Sequence, residues 1–137
     1  MKVWQKKFEA TYIREDGLLV LNDGDIPLPE GYVPDSSLRS NVIFSPGVRG
    51  GDHYHTKREE VFVGFGDGME LLVEDPKTKK VQVFKMDPKH NGGKCVVFWM
   101  QVGMPHAVRN VGAENGYLIE FASHPQEKVD YKVGLSH

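Results

Sequence analysis

The stretch at residues 50–64, GGDHYHTKREEVFVG, sets two histidines one residue apart, follows them with two adjacent glutamates, and runs on into an apolar segment. In an extended strand, side chains at i and i+2 project from the same face, so His53 and His55 can point together. TKR at 56–58 reads as a short hairpin connection, and Glu59 or Glu60 opens the returning strand, where one of them can face the histidine pair. Parity does not choose between them, because alternation is lost through the turn. A third histidine, His106, follows a tight turn at Gly103, Met104 and Pro105 and begins a further strand. In a barrel, distant strands can deliver inward side chains to one point. Three imidazoles and a carboxylate are a nitrogen and oxygen donor shell that suits Zn, Fe, Mn, Ni or Cu better than Ca or Mg, which prefer oxygen throughout.

The rest of the chain reads as strands and turns. Apolar stretches rich in Val, Phe, Tyr and Ile occupy 17–21, 40–47, 60–66, 69–75, 80–86, 94–100, 106–112 and 116–123. Gly- and Pro-bearing turns separate them, notably GDG, DPKTKK, HNGG, VGMP and GAENG. Nowhere does an apolar stripe of helical period persist, since β-branched and aromatic residues dominate. Many short strands with such turns predict an antiparallel sandwich or barrel. Residues 22–39 carry three prolines and little periodicity and read as an arm across the surface, or as one that crosses to a partner subunit.

A chain of 137 residues fits one domain with a sizeable core. With 39% hydrophobic and 26% charged residues it has the composition of an ordinary soluble protein, and no apolar run reaches membrane-spanning length. The start, MKVWQKKFEA, has no apolar stretch behind its lysines, so no secretory signal is read and a cytoplasmic location is expected. The single cysteine, Cys95, excludes an intramolecular disulfide and a thiolate cluster. A net charge of −2, with basic and acidic residues interspersed, leaves no footprint for nucleic acid or anionic lipid. The charge-rich runs TKREE and EDPKTKK read as solvated turns.

Residues 50–66 resemble the first motif of the cupin family, a glycine followed by HxH, three or four residues, a glutamate and a later glycine. Residues 103–110, GMPHAVRN, resemble the second, with Gln101 where a proline usually stands. The resemblance covers about residues 40 to 122 and implies an all-β fold, a single-domain cupin with an antiparallel β-barrel of jelly-roll type. It divides the chain into an N-terminal strand and arm (1–39), a barrel core (40–122) and a C-terminal tail (123–137). It implies His53, His55, one glutamate and His106 as ligands of a divalent transition metal (Zn, Fe, Mn or Ni), with Glu60 preferred over Glu59 because the second Glu of an EE pair commonly ligates. A cupin that keeps the histidines but binds no metal, as some sugar-modifying relatives do, is the alternative.

The longer run from RGGDHYH, together with VGMPHAVRNVG, resembles the small cupins of sugar-nucleotide and capsular-polysaccharide metabolism. That likeness implies an isomerase or epimerase acting on a sugar or sugar nucleotide, in which a metal polarises an oxygen while a pocket group moves the proton. An Fe(II)-dependent dioxygenase and a non-catalytic metal- or ligand-binding module are the competing readings, because cupins host many functions. For catalysis, Glu120 is a charge within the apolar strand YLIEFA and is expected in the pocket. Arg49, beside the motif, is expected to clamp a phosphate or carboxylate, unless it is a surface turn residue. Tyr54 and the aromatics Phe44, Phe62, Phe98, Trp99 and Phe121 are expected mainly in the core, Arg109 on the outer face, and His90, His124 and His137 carry no role. A homodimer is expected.

Overall fold

Strands in the computed structural model follow the expected spacing, and the structure describes residues 1–127 and 131–135, so that His137 lies outside the described residues. One sheet joins β1 (Gln5–Phe8), β9 (Cys95–Met100), β6 (Glu60–Phe65), β11 (Gly116–Ala122) and β4 (Ser40–Phe44), in that order. The second joins β12 (Tyr131–Lys132), β5 (Arg49–Tyr54), β10 (His106–Asn110), β7 (Met69–Glu74) and β8 (Val81–Lys85). Every pairing is antiparallel. Between the sheets lies a core that takes Phe62, Phe98 and Leu118 from the first and Leu71, Val73 and Val108 from the second. This is the antiparallel all-β architecture expected from the turn-punctuated strands, in the jelly-roll form that the resemblance implies. No helix among the described residues is long and apolar enough to cross a membrane.

Two strands whose sequence is apolar at nearly every position are buried on both faces. In β9, Val96, Phe98 and Met100 join the inner core, while Cys95, Val97 and Trp99 meet a second apolar layer outside the sheet. That layer comes from the N-terminal segment. Ile26 and Tyr32 are buried against Val61, Val63 and Phe121, and the Asp35 amide donates to the Ala122 carbonyl at 2.9 Å. Residues 22–39 are therefore an arm across this molecule's own sheet, held by the roughly 1.5–3 kcal/mol that each fully buried large apolar side chain contributes. In β7, Leu72 faces away from the inner core and is covered by Ala107 and Leu135.

One expected barrel strand differs. Of residues 17–21 only Leu19–Val20 (β3) is extended, pairing with Tyr12–Ile13 (β2) in a separate hairpin. Leu19 and Leu21 pack in the outer layer instead, while Leu18 is exposed.

Candidate metal centre and cavity

The neighbouring strands β5 and β10 place the first pair of imidazoles side by side through an irregularity. His106 lies opposite His53 and Ala107 opposite Gly51, so Asp52 is an extra residue in β5, a β-bulge. Gly51 has φ +96° and Asp52 φ +58°, the latter in the left-handed region that Asp tolerates better than most residues. Arg49 sits over this bulge, its Nε and Nη2 donating to the two Asp52 carboxylate oxygens at 2.8 and 2.6 Å. The structure thus commits Arg49 to a bidentate pair with Asp52. It is not among the residues that line the cavity.

The three histidines converge. Ring centroids of His53 and His55 are 4.5 Å apart, those of His53 and His106 5.2 Å, and those of His55 and His106 5.8 Å. Glu60, at the start of β6, completes the group, and the four candidate ligand atoms all lie within 4.8 Å of one another. Glu59 is outside it, its amide taken by the Ser123 hydroxyl at 2.9 Å. The inward alternation of β6 settles which glutamate faces the histidines: Glu60 and Phe62 face in, Val61 and Val63 out.

The donor chemistry fits a cation. His106 Nδ1 stands 2.9 Å from the Met104 carbonyl oxygen, which can only accept, so Nδ1 carries the proton and Nε2 of the neutral ring presents a lone pair. That lone pair faces Glu60 Oε1 at 3.1 Å. His55 Nε2 points at the same oxygen from 3.3 Å, yet it is buried with no hydrogen-bond partner among the described residues. Acceptors crowded together in this way need a shared positive charge. Two ligands at roughly 2.1 Å from one tetrahedral ion stand about 3.4 Å apart, close to these spacings. His55, His106 and Glu60 are buried and His53 only partly, so the group is open on the His53 side.

Beside the cluster lies a cavity of about 160 Å³. Phe44, Phe62 and Leu118 are among its apolar walls, and Arg58, Glu120 and Gln126 add polar groups next to the ligand set. Glu120 is where its alternation in β11 implies. Arg58 is a correction: TKREE was expected as a solvated turn, but Arg58 is 8% and Glu60 3% exposed. The Arg58 Nε donates to Glu60 Oε2 at 2.9 Å and Nη1 to the His124 carbonyl at 3.0 Å, while Nη2 lies 3.4 Å from Glu120 Oε1. One signal was available in the sequence. Arg58 is only two residues before Glu60 in the sequence.

The two carboxylates divide their ionisation. Burial works to raise the Glu60 carboxyl, but positive charge shared with the His106 and His55 rings, with a hydrogen bond from Glu120 added, outweighs it and holds Glu60 well below the usual carboxylate range. Burial, and then the neighbouring Glu60 charge, push Glu120 up, with Arg58 opposing. A further acid reaches the histidine hairpin from far along the chain. Glu127 Oε1 accepts the backbone amides of Thr56, Lys57 and Arg58 at 2.9, 2.8 and 3.1 Å, and Oε2 accepts the Thr56 hydroxyl at 2.8 Å. No feature of the sequence pointed to it.

Of the remaining side chains, Phe98 belongs to the inner core and Trp99 and Phe121 to the outer layer. Arg109 donates to Glu70 at 2.9 Å. Asn110, which ends the second motif, is fully buried: its amide donates to the Phe44 and Glu114 carbonyls at 2.8 Å each and its oxygen accepts the Gly112 amide at 2.9 Å.

The chain has the cupin fold, with its four motif side chains gathered inside the barrel. Among solved structures it superposes on WlaRA, a TDP-fucose-3,4-ketoisomerase from Campylobacter jejuni, with TM-score 0.64 and 16% identity over 98% of this chain and 90% of that one. The 3,4-ketoisomerase QdtA from Thermoanaerobacterium thermosaccharolyticum, in complex with TDP, gives TM-score 0.62 and 17% identity over 96% and 88%. The capsular polysaccharide assembling protein CapF from Staphylococcus aureus gives TM-score 0.60 and 19% identity over 69% of this chain, which spans only 26% of CapF. No protein-family model and no curated protein matches the sequence.

Proposed function

We propose that this protein is a metal-binding isomerase of keto sugars carried on a nucleoside diphosphate. The observation that carries the reading is the juxtaposition of the His53, His55, Glu60, His106 cluster with a second carboxyl, Glu120, in one partly apolar cavity. It is supported by the likeness in fold to ketoisomerases over almost their whole length. The cavity, at about 160 Å³, is smaller than the roughly 300–1,000 Å³ of pockets that enclose drug-sized ligands. It would take the sugar ring, leaving the nucleotide along the mouth.

His53, His55, Glu60 and His106 would hold a divalent ion, which as a Lewis acid polarises a substrate oxygen when bound. Glu120 is the acid beside that set. In its ionised form, which burial makes a stronger base than an ordinary carboxylate, Glu120 would take a proton from the carbon next to the carbonyl and return it to the former carbonyl carbon, while the proton of the adjacent hydroxyl passes to the former carbonyl oxygen. The carbon transfer needs one group within hydrogen-bond reach of both carbons. Arg58 holds Glu120 in place, and the Phe44, Phe62 and Leu118 walls limit water around the reacting carbons.

The test is proton exchange. Metal-loaded protein in deuterated water with TDP-4-keto-6-deoxyglucose and other keto-sugar nucleotides should show deuterium entering beside the carbonyl by NMR, and Glu120→Gln should slow it about a hundredfold or more. Absence of exchange and of conversion with every member of the panel overturns the reading.

A homodimer is part of the proposal. Ile43 on β4, the edge of its sheet among the described residues, pairs with Tyr117 of β11, and they are 63% and 49% exposed. Sedimentation should give a dimer for the native chain and a monomer for Ile43→Arg, and a monomeric native chain sinks this part alone.

A further inference from the structure

The residue that decides how Glu60 can meet a cation is Arg58. Its side chain is buried, and each of its three nitrogens faces an acceptor: Nε the Glu60 Oε2 at 2.9 Å, Nη1 the His124 carbonyl at 3.0 Å, and Nη2 the Glu120 Oε1 at 3.4 Å. The two Glu60 oxygens therefore have separate duties. Oε2 is held by the guanidinium, while Oε1 alone faces His106 Nε2 at 3.1 Å and His55 Nε2 at 3.3 Å. A carboxylate with both oxygens free can close on an ion with two bonds. One whose second oxygen accepts a charge-assisted hydrogen bond is turned edge-on and offers a single bond.

We infer that Arg58 is a positioning residue that makes Glu60 a one-oxygen ligand, and so keeps a coordination position of the bound ion open toward the cavity. This rests on the metal reading above. The ion would then have three imidazole nitrogens and one carboxylate oxygen from the protein. Four ligands leave room for a substrate oxygen in a five- or six-coordinate shell, whereas a two-oxygen Glu60 would occupy that room. Arg58 also ties this ligand to Glu120 through one rigid planar group, so the ligand and the acid cannot shift independently. Lysine, with one compact ammonium, cannot make the same fork.

The first measurement needs no variant. X-ray absorption of the zinc-loaded native protein should show a carboxylate bound through one oxygen, and a carboxylate bound through two overturns the inference. The second compares native protein, Arg58→Met and Arg58→Lys loaded with Co²⁺, reading the visible spectrum and the affinity by competition with a chelator. Arg58→Met is expected to change the Co²⁺ band shape as Glu60 swings round, and to alter the affinity by about tenfold to a hundredfold. Arg58→Lys should restore part of either change. A spectrum and a dissociation constant in Arg58→Met that match the native ones within twofold overturn the role of Arg58 while leaving the metal site standing. If the native protein takes up neither Zn²⁺ nor Co²⁺, both this inference and the metal part of the proposed function fall, although deuterium exchange by the metal-free chain would keep the isomerase reading alive.

Discussion

Replacing Gly51 with alanine should damage both the fold and the metal site, for reasons that can be separated. At φ +96° an L residue is strained, at about 1–3 kcal/mol. A Cβ there would also stand 2.8 Å from the His106 carbonyl oxygen and 3.0 Å from the Ala107 Cα, both backbone atoms that no rotamer change can move. Relieving that overlap means pushing β10 away from β5 at the ligand itself, with an overpacking cost of another ~1–3 kcal/mol. The total is about 2–6 kcal/mol, which for a domain of this length corresponds to a melting temperature lower by roughly 8–24 °C. Gly47→Ala is the control. It has φ +82° but nothing within 4 Å of the new Cβ, so only the strain of about 1–2 kcal/mol, or roughly 4–8 °C, applies. Calorimetry of the two variants, with Co²⁺ affinity measured on each, should show the larger loss in Gly51→Ala and weakened metal binding in that variant alone. Equal melting temperatures and equal affinities would refute the coupling of the bulge to His106.

Asn110→Ala would orphan three backbone groups that the amide now satisfies, at about 1–3 kcal/mol each; a loss of about 3–9 kcal/mol is expected by chemical denaturation, and one under 1 kcal/mol would contradict it. Glu60→Gln should abolish measurable Co²⁺ binding at micromolar concentrations in competition titrations, whereas Glu59→Gln should leave it unchanged. Backbone amides, first that of Lys57, lower the Glu127 carboxyl from its ordinary 4.5 to about 2 in the folded chain. A group lowered on folding stabilises above its unfolded pKa and loses that contribution as pH falls through the folded one. The difference in melting temperature between native protein and Glu127→Gln should therefore be full at pH 7 and fade between about pH 4.5 and 2. A constant difference over that range would show that Glu127 acts through something other than its charge.

Much of this protein was legible in the chain alone because strand-forming composition and turn residues mark strands directly, and because the two-residue period of a strand puts His53 and His55 on one face. The β-branched and aromatic stretches and the turn residues of 60–123 marked the barrel strands, and the HxH spacing with a later histidine marked the ligand set. What failed was local where it depended on partners distant in sequence. Residues 17–21 look like a core strand, yet an outer layer under the arm takes Leu19 and Leu21. TKREE looks solvated because charges usually are, but Arg58 and Glu60 are buried by virtue of one another and of Glu120, a residue in a different strand.

The sequence by itself determined the class of fold and the kinds of donor atom available, since both follow from residue type and short-range spacing. Only the tertiary structure placed Glu60 rather than Glu59 among the histidines, paired Arg49 with Asp52, and brought Arg58 to Glu60 and Glu127 to the histidine hairpin. The reason is physical: a hairpin turn and a one-residue bulge each reset which face a side chain occupies, and their effect is fixed by cross-strand pairing with partners dozens of residues away.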